Sequence, residues 1–279
     1  MIQASHLYIV ATPIGNLKDI SARALDVLAG VDLVAAEDTR VAKRLLSEYE
    51  IEAQCIAYHD HNESTQSDNL ITKLQAGQSI ALVSDAGTPL INDPGYTIVK
   101  KCRELGIKVV PIPGSCALIA ALSAAGVATD QFYYGGFLPA KTKARCDVLS
   151  LLAERSYSSV FYESPHRILA SLADVQKTLG DKRQIVIARE ITKTFETIKG
   201  GAVADVIDWM QADHNQQKGE FVLIVEGVAS SGQLDDRAKQ LLESLIEHLP
   251  LKVASGIVAQ TFDLKKKQVY EYGITLSDK

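Results

Sequence analysis

Cysteine is scarce in this chain and poorly spaced for chemistry. Its four copies, Cys55, Cys102, Cys116 and Cys146, form no CxxC pair and have no histidine spacing that would complete a zinc site. Reduced, mostly buried thiols are therefore expected, with neither a disulfide nor a bound metal. Long apolar runs are also missing. Nothing approaches the roughly 18 apolar residues of a membrane span, and the opening MIQASHLYIVATP lacks the basic start and apolar stretch of a secretory signal. A cytoplasmic location follows as the expectation. The motifs GxGxxG, GxxxxGKS/T and GxSxG do not occur. Their absence weakens a dinucleotide fold, removes a phosphate cradle for nucleotide hydrolysis, and removes the commonest serine-hydrolase signal.

What is present is the composition of an ordinary soluble globular protein, 47% hydrophobic and 23% charged over 279 residues, long enough for two domains with real cores. The formal charge of −5 argues against a surface that grips nucleic acid everywhere, because neutralising phosphates takes clustered Lys and Arg. Three local clusters are available: Arg40, Lys43 and Arg44; Lys141, Lys143 and Arg145; and Lys265, Lys266 and Lys267. Each is also readable as a solvated helix face.

Short apolar strands alternate with amphipathic segments through the first 120 or so residues, the pattern of a parallel sheet covered by helices on both faces. Strands are expected at 7–11, 32–36, 54–58, 80–84 and 108–112, with helices near 20–29, 40–48, 66–76 and 96–105, the third capped by Ser64 or Thr65. After Ala125-Gly126 the strand candidates lengthen, at 131–138, 158–164, 184–191, 194–200 and 220–227, between helical stretches near 141–154, 165–179 and 202–211. The near-contiguous pair 184–191 and 194–200 predicts antiparallel pairing, hence a mixed second sheet. ASSGQLDD reads as a linker, and the remainder as helices too few to hold much of a core alone. Expected domains are 1–122, 123–229 and a helical appendage at 230–279.

Strand carboxyl ends face the ligand crevice in open parallel sheets, so the loops after strands carry the candidate chemistry. Thr12-Pro13-Ile14-Gly15-Asn16 follows the first strand, and its Gly permits close backbone approach, but taken alone it reads more readily as a plain tight turn than as a ligand loop. Ser84-Asp85-Ala86-Gly87-Thr88-Pro89, followed by Asp93-Pro94-Gly95, places a carboxylate and a hydroxyl beside small residues that leave room for a ligand. Alternatively, Asp85 holds its own turn. Pro113-Gly114-Ser115-Cys116-Ala117 opens an Ala-rich helix over about 115–125, whose free N–H groups suit a polar ligand edge, with Ser115 a possible N-cap. His59-Asp60-His61-Asn62-Glu63 concentrates acid/base groups after strand three. Ala188-Arg189-Glu190 and the run from Phe161 to Arg167 lie at strand ends of the second sheet.

Taken in order, LYIVATPIGNLKDIS, AAEDTRVAKRLL, YHDHNE, LVSDAGTPLINDPG, PIPGSCALIAAL, YYGGFLPAK, FYESPHRI, AREITKTFE and KGEFVLIVEG resemble the tetrapyrrole methylase superfamily, from residue 7 to about 227. Within it they look most similar to the branch that methylates a cytidine ribose 2′-hydroxyl in bacterial small-subunit ribosomal RNA. The resemblance implies a two-domain α/β fold, a homodimer, and S-adenosylmethionine held between the domains. It matches Ile14, Asp85, Gly87, Thr88, Ser115, Cys116, Tyr162, Ala188 and Gly219 to cofactor-binding positions. Porphyrinoid methylases of the superfamily usually carry GxGxG in the first loop, where Ala11, Pro13 and Gly15 stand here. That departure disfavours the alternative of carbon methylation of a tetrapyrrole precursor. A ribose hydroxyl calls for a base or a polarising neighbour. Glu37, Asp38, His59, His61, Glu63, Glu163 and Glu190 are the candidates, and the sequence does not choose among them. RNA or an assembled small subunit is the implied partner, with the basic run before Tyr270 adding phosphate contacts.

Overall fold

The computed structural model describes residues 2–228, 234, 236–262 and 264–277. Residues 1–227 form one compact unit and residues 228–279 a second. Most of the expected linker, and Asp263 in the basic tail segment, lie outside the described residues.

Five short strands build the first sheet: β1 (His6–Val10), β2 (Leu33–Ala36), β3 (Cys55–Ala57), β4 (Ile80–Val83) and β5 (Lys108–Ile112). All pair in parallel, in the order β3-β2-β4-β1-β5. β2 and β4 are buried along their whole length, as unbroken apolar runs between two helical layers should be. Helices α1 (Ala22–Gly30) and α2 (Thr39–Glu48) bury Ala24, Val27, Leu28, Ala42 and Leu46 on one face. Helices α3 (Glu63–Gln75) and α4 (Tyr96–Glu104) bury Leu70, Leu74, Ile98 and Cys102 on the other. The division follows from right-handed crossovers, since β1 to β2 to β3 steps in one direction and β3 to β4 to β5 steps back. At the adjacent strands β1 and β4 the outgoing connections therefore leave on opposite faces, which opens a crevice at their carboxyl ends.

The second sheet comprises β6 (Phe132–Phe137), β7 (Ser158–Glu163), β8 (Gln184–Arg189), β9 (Thr197–Ala202) and β10 (Phe221–Val225), in the order β6-β7-β10-β8-β9. Only β6 and β7 are parallel, so the sheet is mixed as expected. Helices α6 (Thr142–Ser150), α7 (Ile168–Leu179) and α8 (Val203–Ala212) cover one face. The opposite face receives α5 (Ala117–Ala124), which follows β5 of the first sheet but buries Leu118, Ala121 and Leu122 against Val160, Val186, Val222 and Ile224. The expected boundary at 122/123 thus falls inside a helix that joins the two sheets.

Several local expectations are corrected. Helix α3 begins at Glu63, so Ser64 and Thr65 lie in its first turn rather than capping it. Cys116, not Ser115, takes the N-cap position of α5. β8 and β9 pair antiparallel, but the chain between them runs through 190–196 instead of two residues. Arg145 leaves its basic cluster: it is 3% exposed, and its guanidinium binds the Asp174 carboxylate at 2.6–2.7 Å and the Pro139 and Ala140 carbonyls at 3.2 and 3.3 Å. A buried guanidinium persists only when its donors are met in this way.

The second unit contains α9 (Asp236–Ile246), α10 (Leu251–Thr261) and α11 (Lys266–Ser277). It does bury a core of its own, Leu234, Ala238, Leu242, Ala254, Val258, Ala259 and Val269, against the expectation that so short a segment holds little. Helical spacing turns Val269 and Tyr272 inward, and the Tyr272 hydroxyl donates to Glu243 Oε1 at 3.2 Å. Tyr270 is left outside, as are Lys265, Lys266 and Lys267.

Candidate active site

Three loops close on the crevice and are tied to one another. Thr12 and Gly87 exchange both backbone hydrogen bonds, at 2.9 and 3.0 Å, so the first loop pairs with the SDAGTP loop instead of forming an isolated turn. Thr88 Oγ1 donates to the Ser115 carbonyl at 3.0 Å, binding SDAGTP to PGSCA. The Leu118 amide donates to the Tyr162 hydroxyl at 3.3 Å, fastening the start of α5 to β7. Gly15 has a structural reason. A Cβ there would lie 2.5 Å from Lys193 Cγ and 2.9 Å from Thr192 Oγ1, so only glycine admits the 190–196 loop against the first one.

A cavity of about 400 Å³ lies at this junction. Ile14, Gly87, Thr88, Cys116, Tyr162 and Glu163, all singled out in the sequence, line it. Ile91, Asp93, Phe137, Ile191 and Glu220 are also in its walls, with the small side chains of Ala86 and Ala117. The volume is in the range of small-molecule sites, and the mixture of apolar wall with few polar groups is what such sites use.

The other expected cofactor residues are not among those that line the cavity. Asp85 is exposed and accepts from the Asp38 amide at 3.0 Å, while its own amide donates to Glu37 Oε2 at 3.4 Å. It therefore bridges the loops after β2 and β4 rather than its own turn. Ser115 contributes its carbonyl to Thr88. Ala188 is fully buried within β8. Gly219, at a φ of 94°, lies against the Glu190 side chain, where a Cβ would collide.

The acid/base candidates are mostly engaged elsewhere. Glu63 Oε1 accepts from the Tyr58 hydroxyl and from the Gly95 and Thr97 amides at 3.0–3.1 Å. Those amide hydrogen bonds hold its carboxyl below the usual range even though burial opposes them. Glu163 is buried and holds Ser164, Ser171 and Arg167. Glu190 accepts from Lys193 Nζ and the Glu220 amide, each at 2.9 Å, and these contacts lower its carboxyl against the opposing effect of burial. His59 and His61 meet in a T-shaped pair with ring centroids 6.0 Å apart, and His61 is exposed. Glu37 is pushed up, chiefly by burial.

One residue was passed over at the sequence level. Asp93 lines the cavity, and burial raises its carboxyl to about 6, with Glu37, Asp85 and Asp60 adding like charge and a Ser84 hydrogen bond opposing. The available signal was the Asp93-Pro94-Gly95 run directly after SDAGTP. Among the described residues no group of three or more His, Cys, Asp or Glu is placed to hold a metal ion, and no helix is long and apolar enough to cross a membrane.

Comparison with known proteins accords with this architecture. Residues 6–207 match the model of the Tetrapyrrole (Corrin/Porphyrin) Methylases, and residues 232–277 match that of the RsmI C-terminal HTH domain. The Ribosomal RNA small subunit methyltransferase I of Pasteurella multocida is 55% identical over 96% of both chains. Its namesake from Vibrio cholerae is 54% identical over 96% of this chain and 94% of its own. Among solved structures, uroporphyrin-III-C-methyltransferase from Thermus thermophilus aligns with a TM-score of 0.55 at 17% identity, covering 81% of this chain and 96% of its own. That likeness bears on the fold alone. With a family model matching residues 6–207 and relatives above half identity along nearly the whole chain, this protein is a member of the tetrapyrrole methylase family.

Proposed function

We propose that this protein transfers a methyl group from S-adenosylmethionine to the ribose 2′-hydroxyl of a cytidine in small-subunit ribosomal RNA. The observation that carries the reading is the cavity at the β1/β4 crevice, walled by the cofactor-matched residues Ile14, Gly87, Thr88, Cys116 and Tyr162. It occurs in a chain whose relatives bear the name of that RNA methyltransferase. The residues present suit the cofactor. Ile14, Ile91 and Tyr162 offer apolar and aromatic surface for an adenosyl group, and Ala86, Gly87 and Ala117 leave space.

When bound, the cofactor supplies an already activated methyl on a sulfonium, so the chain's main task is alignment and exclusion of water. The paired first and SDAGTP loops fix one wall, and Thr88 and Tyr162 lock the start of α5 as the other. Asp85, Ser115, Ala188 and Gly219 support these loops in this reading, together with Glu190. We further infer a homodimer in the cytoplasm, and a division of the chain at 1–122, 123–229 and 230–279, on the strength of the family resemblance. The exposed Lys265, Lys266 and Lys267 of the second unit are assigned to phosphate contacts.

Incubation of the purified protein with methyl-labelled S-adenosylmethionine and either unmodified small subunits or a porphyrinogen tests the proposal. Label in a 2′-O-methylcytidine is the expected result. Label in the porphyrinoid, or in neither substrate, overturns it.

A further inference from the structure

The segment joining β4 to α4 is held in an unusual backbone. Leu90, Asn92 and Gly95 all have positive φ, at 70°, 71° and 137°. Left-handed geometry is costly for a leucine and persists only where surrounding contacts impose it. Those contacts are present: the Glu63 carboxylate anchors the Gly95 and Thr97 amides at 3.0 Å, and a Cβ on Gly95 would approach Leu82 Cδ2 to 2.8 Å. Glu63 is thus a positioning group for this loop, and the residue it sets on the cavity wall is Asp93.

Three carboxylate residues line the cavity, and two are already paired. Glu163 binds Arg167 at 2.6 Å and Glu220 binds Lys193 at 2.7 Å. Asp93 has no such cation among the described ion pairs, and the nearby Ser84 side chain only partly opposes the rise of its carboxyl. We propose that Asp93 is the base that takes the proton from the ribose 2′-hydroxyl as the methyl group is transferred. This rests on the methyltransferase reading of the cavity. The hydroxyl proton passes to the Asp93 carboxylate, and the freed oxygen pair forms the bond to the methyl carbon. The carbon–sulfur bond breaks with its electron pair staying on sulfur, which leaves a neutral thioether. Protonated Asp93 then returns its proton to water, so nothing else is consumed.

The groups facing Asp93 come from several elements. Glu37 after β2, Asp60 after β3 and Asp85 after β4 contribute negative charge. The Tyr134 and Tyr162 phenols on β6 and β7 remain neutral, both pushed up by burial. A carboxyl brought to about 6 by burial is a stronger base than an ordinary one and is still ionised at neutral pH.

The test compares wild type with Asp93→Asn and Asp93→Glu, each checked for an unchanged circular dichroism spectrum. Wild-type kcat/KM rises with pH through about 6 and then levels. Asp93→Asn loses that limb and about a hundredfold or more of kcat, the usual worth of a general base, while calorimetric cofactor affinity stays within about threefold. Asp93→Glu recovers part of the rate. Carbon-13 NMR of aspartate-labelled enzyme should show one carboxyl resonance titrating near 6 that vanishes in Asp93→Asn. A variant that keeps kcat or its acidic limb overturns the assignment, as does lost cofactor affinity with kcat intact. A wild-type enzyme that methylates no RNA sinks the functional reading instead.

Discussion

Glu163 provides a sharp contrast with Asp93, because its charge is spent inside the fold. Its side chain is fully buried, with Oε1 accepting from Ser164 N at 2.8 Å and Arg167 Nη2 at 2.6 Å, and Oε2 accepting from Ser171 Oγ at 2.6 Å. Glu163→Ala removes both oxygens and the three contacts they accept, leaving the buried Ser171 hydroxyl without its acceptor and the Arg167 guanidinium with the Leu138 carbonyl but no anion. Breaking a buried pair in this way costs about 3–5 kcal/mol. In a unit of this size each kcal/mol moves Tm by about 2–4 °C, so a fall of about 6–20 °C is expected. Glu163→Gln is different. Its amide oxygen can keep Ser164 and Arg167 while its amide group donates to Ser171, so only charge assistance is lost, about 1–2 kcal/mol. Calorimetric melting of the three proteins, with single-turnover methylation of small subunits, checks both points. The glutamine variant should melt slightly lower and keep its rate within about tenfold, whereas loss of a general base costs about 10²–10⁴-fold. A glutamine variant that melts like wild type yet loses a hundredfold or more in rate would show that Glu163 takes the proton, and would refute the claim that pairing consumes its carboxylate.

Asp93 predicts an unusual pH dependence of stability. Its carboxyl is raised to about 6 in the fold against an ordinary value of 3.8, so the folded state holds more protons between those limits and this contribution falls as pH rises through them. Asp93 is partly solvated, which damps the effect. Asp93→Asn should melt above wild type at pH 8, with the difference gone near pH 4; a difference independent of pH would contradict it. Reversing Lys265, Lys266 and Lys267 together to Glu should leave the fold intact, since all three are exposed, and flatten the log–log salt dependence of RNA binding by about 2–3. An unchanged slope removes these lysines from the RNA contact.

The parallel sheet was legible because β2 and β4 are apolar along their length and their helices carry one-sided apolar spacing. The loops were legible as strand ends, but not their mutual bonding. Nothing in the sequence says that Thr12 meets Gly87 or that Tyr162 reaches the Leu118 amide. Arg145 looked like surface charge because its partner Asp174 lies on another helix. Asp93 was named in its loop but given no role, because its character comes from burial and from Glu37 and Asp60 on two other loops as well as Asp85 on its own. The second unit was underestimated because a core from three short helices draws one or two residues from each turn, a density that a linear scan reads as weak.

The opposed exits of β1 and β4 have a consequence for how such a chain can diverge. The void at their ends is created by connection direction and crossover handedness, before any side chain is chosen. Substitutions in the lining therefore alter what the socket accepts without having to recreate it. A protein named for uroporphyrin shares this architecture at 17% identity, so selection acting on loops alone has room to retarget an inherited opening while the sheet beneath retains its order.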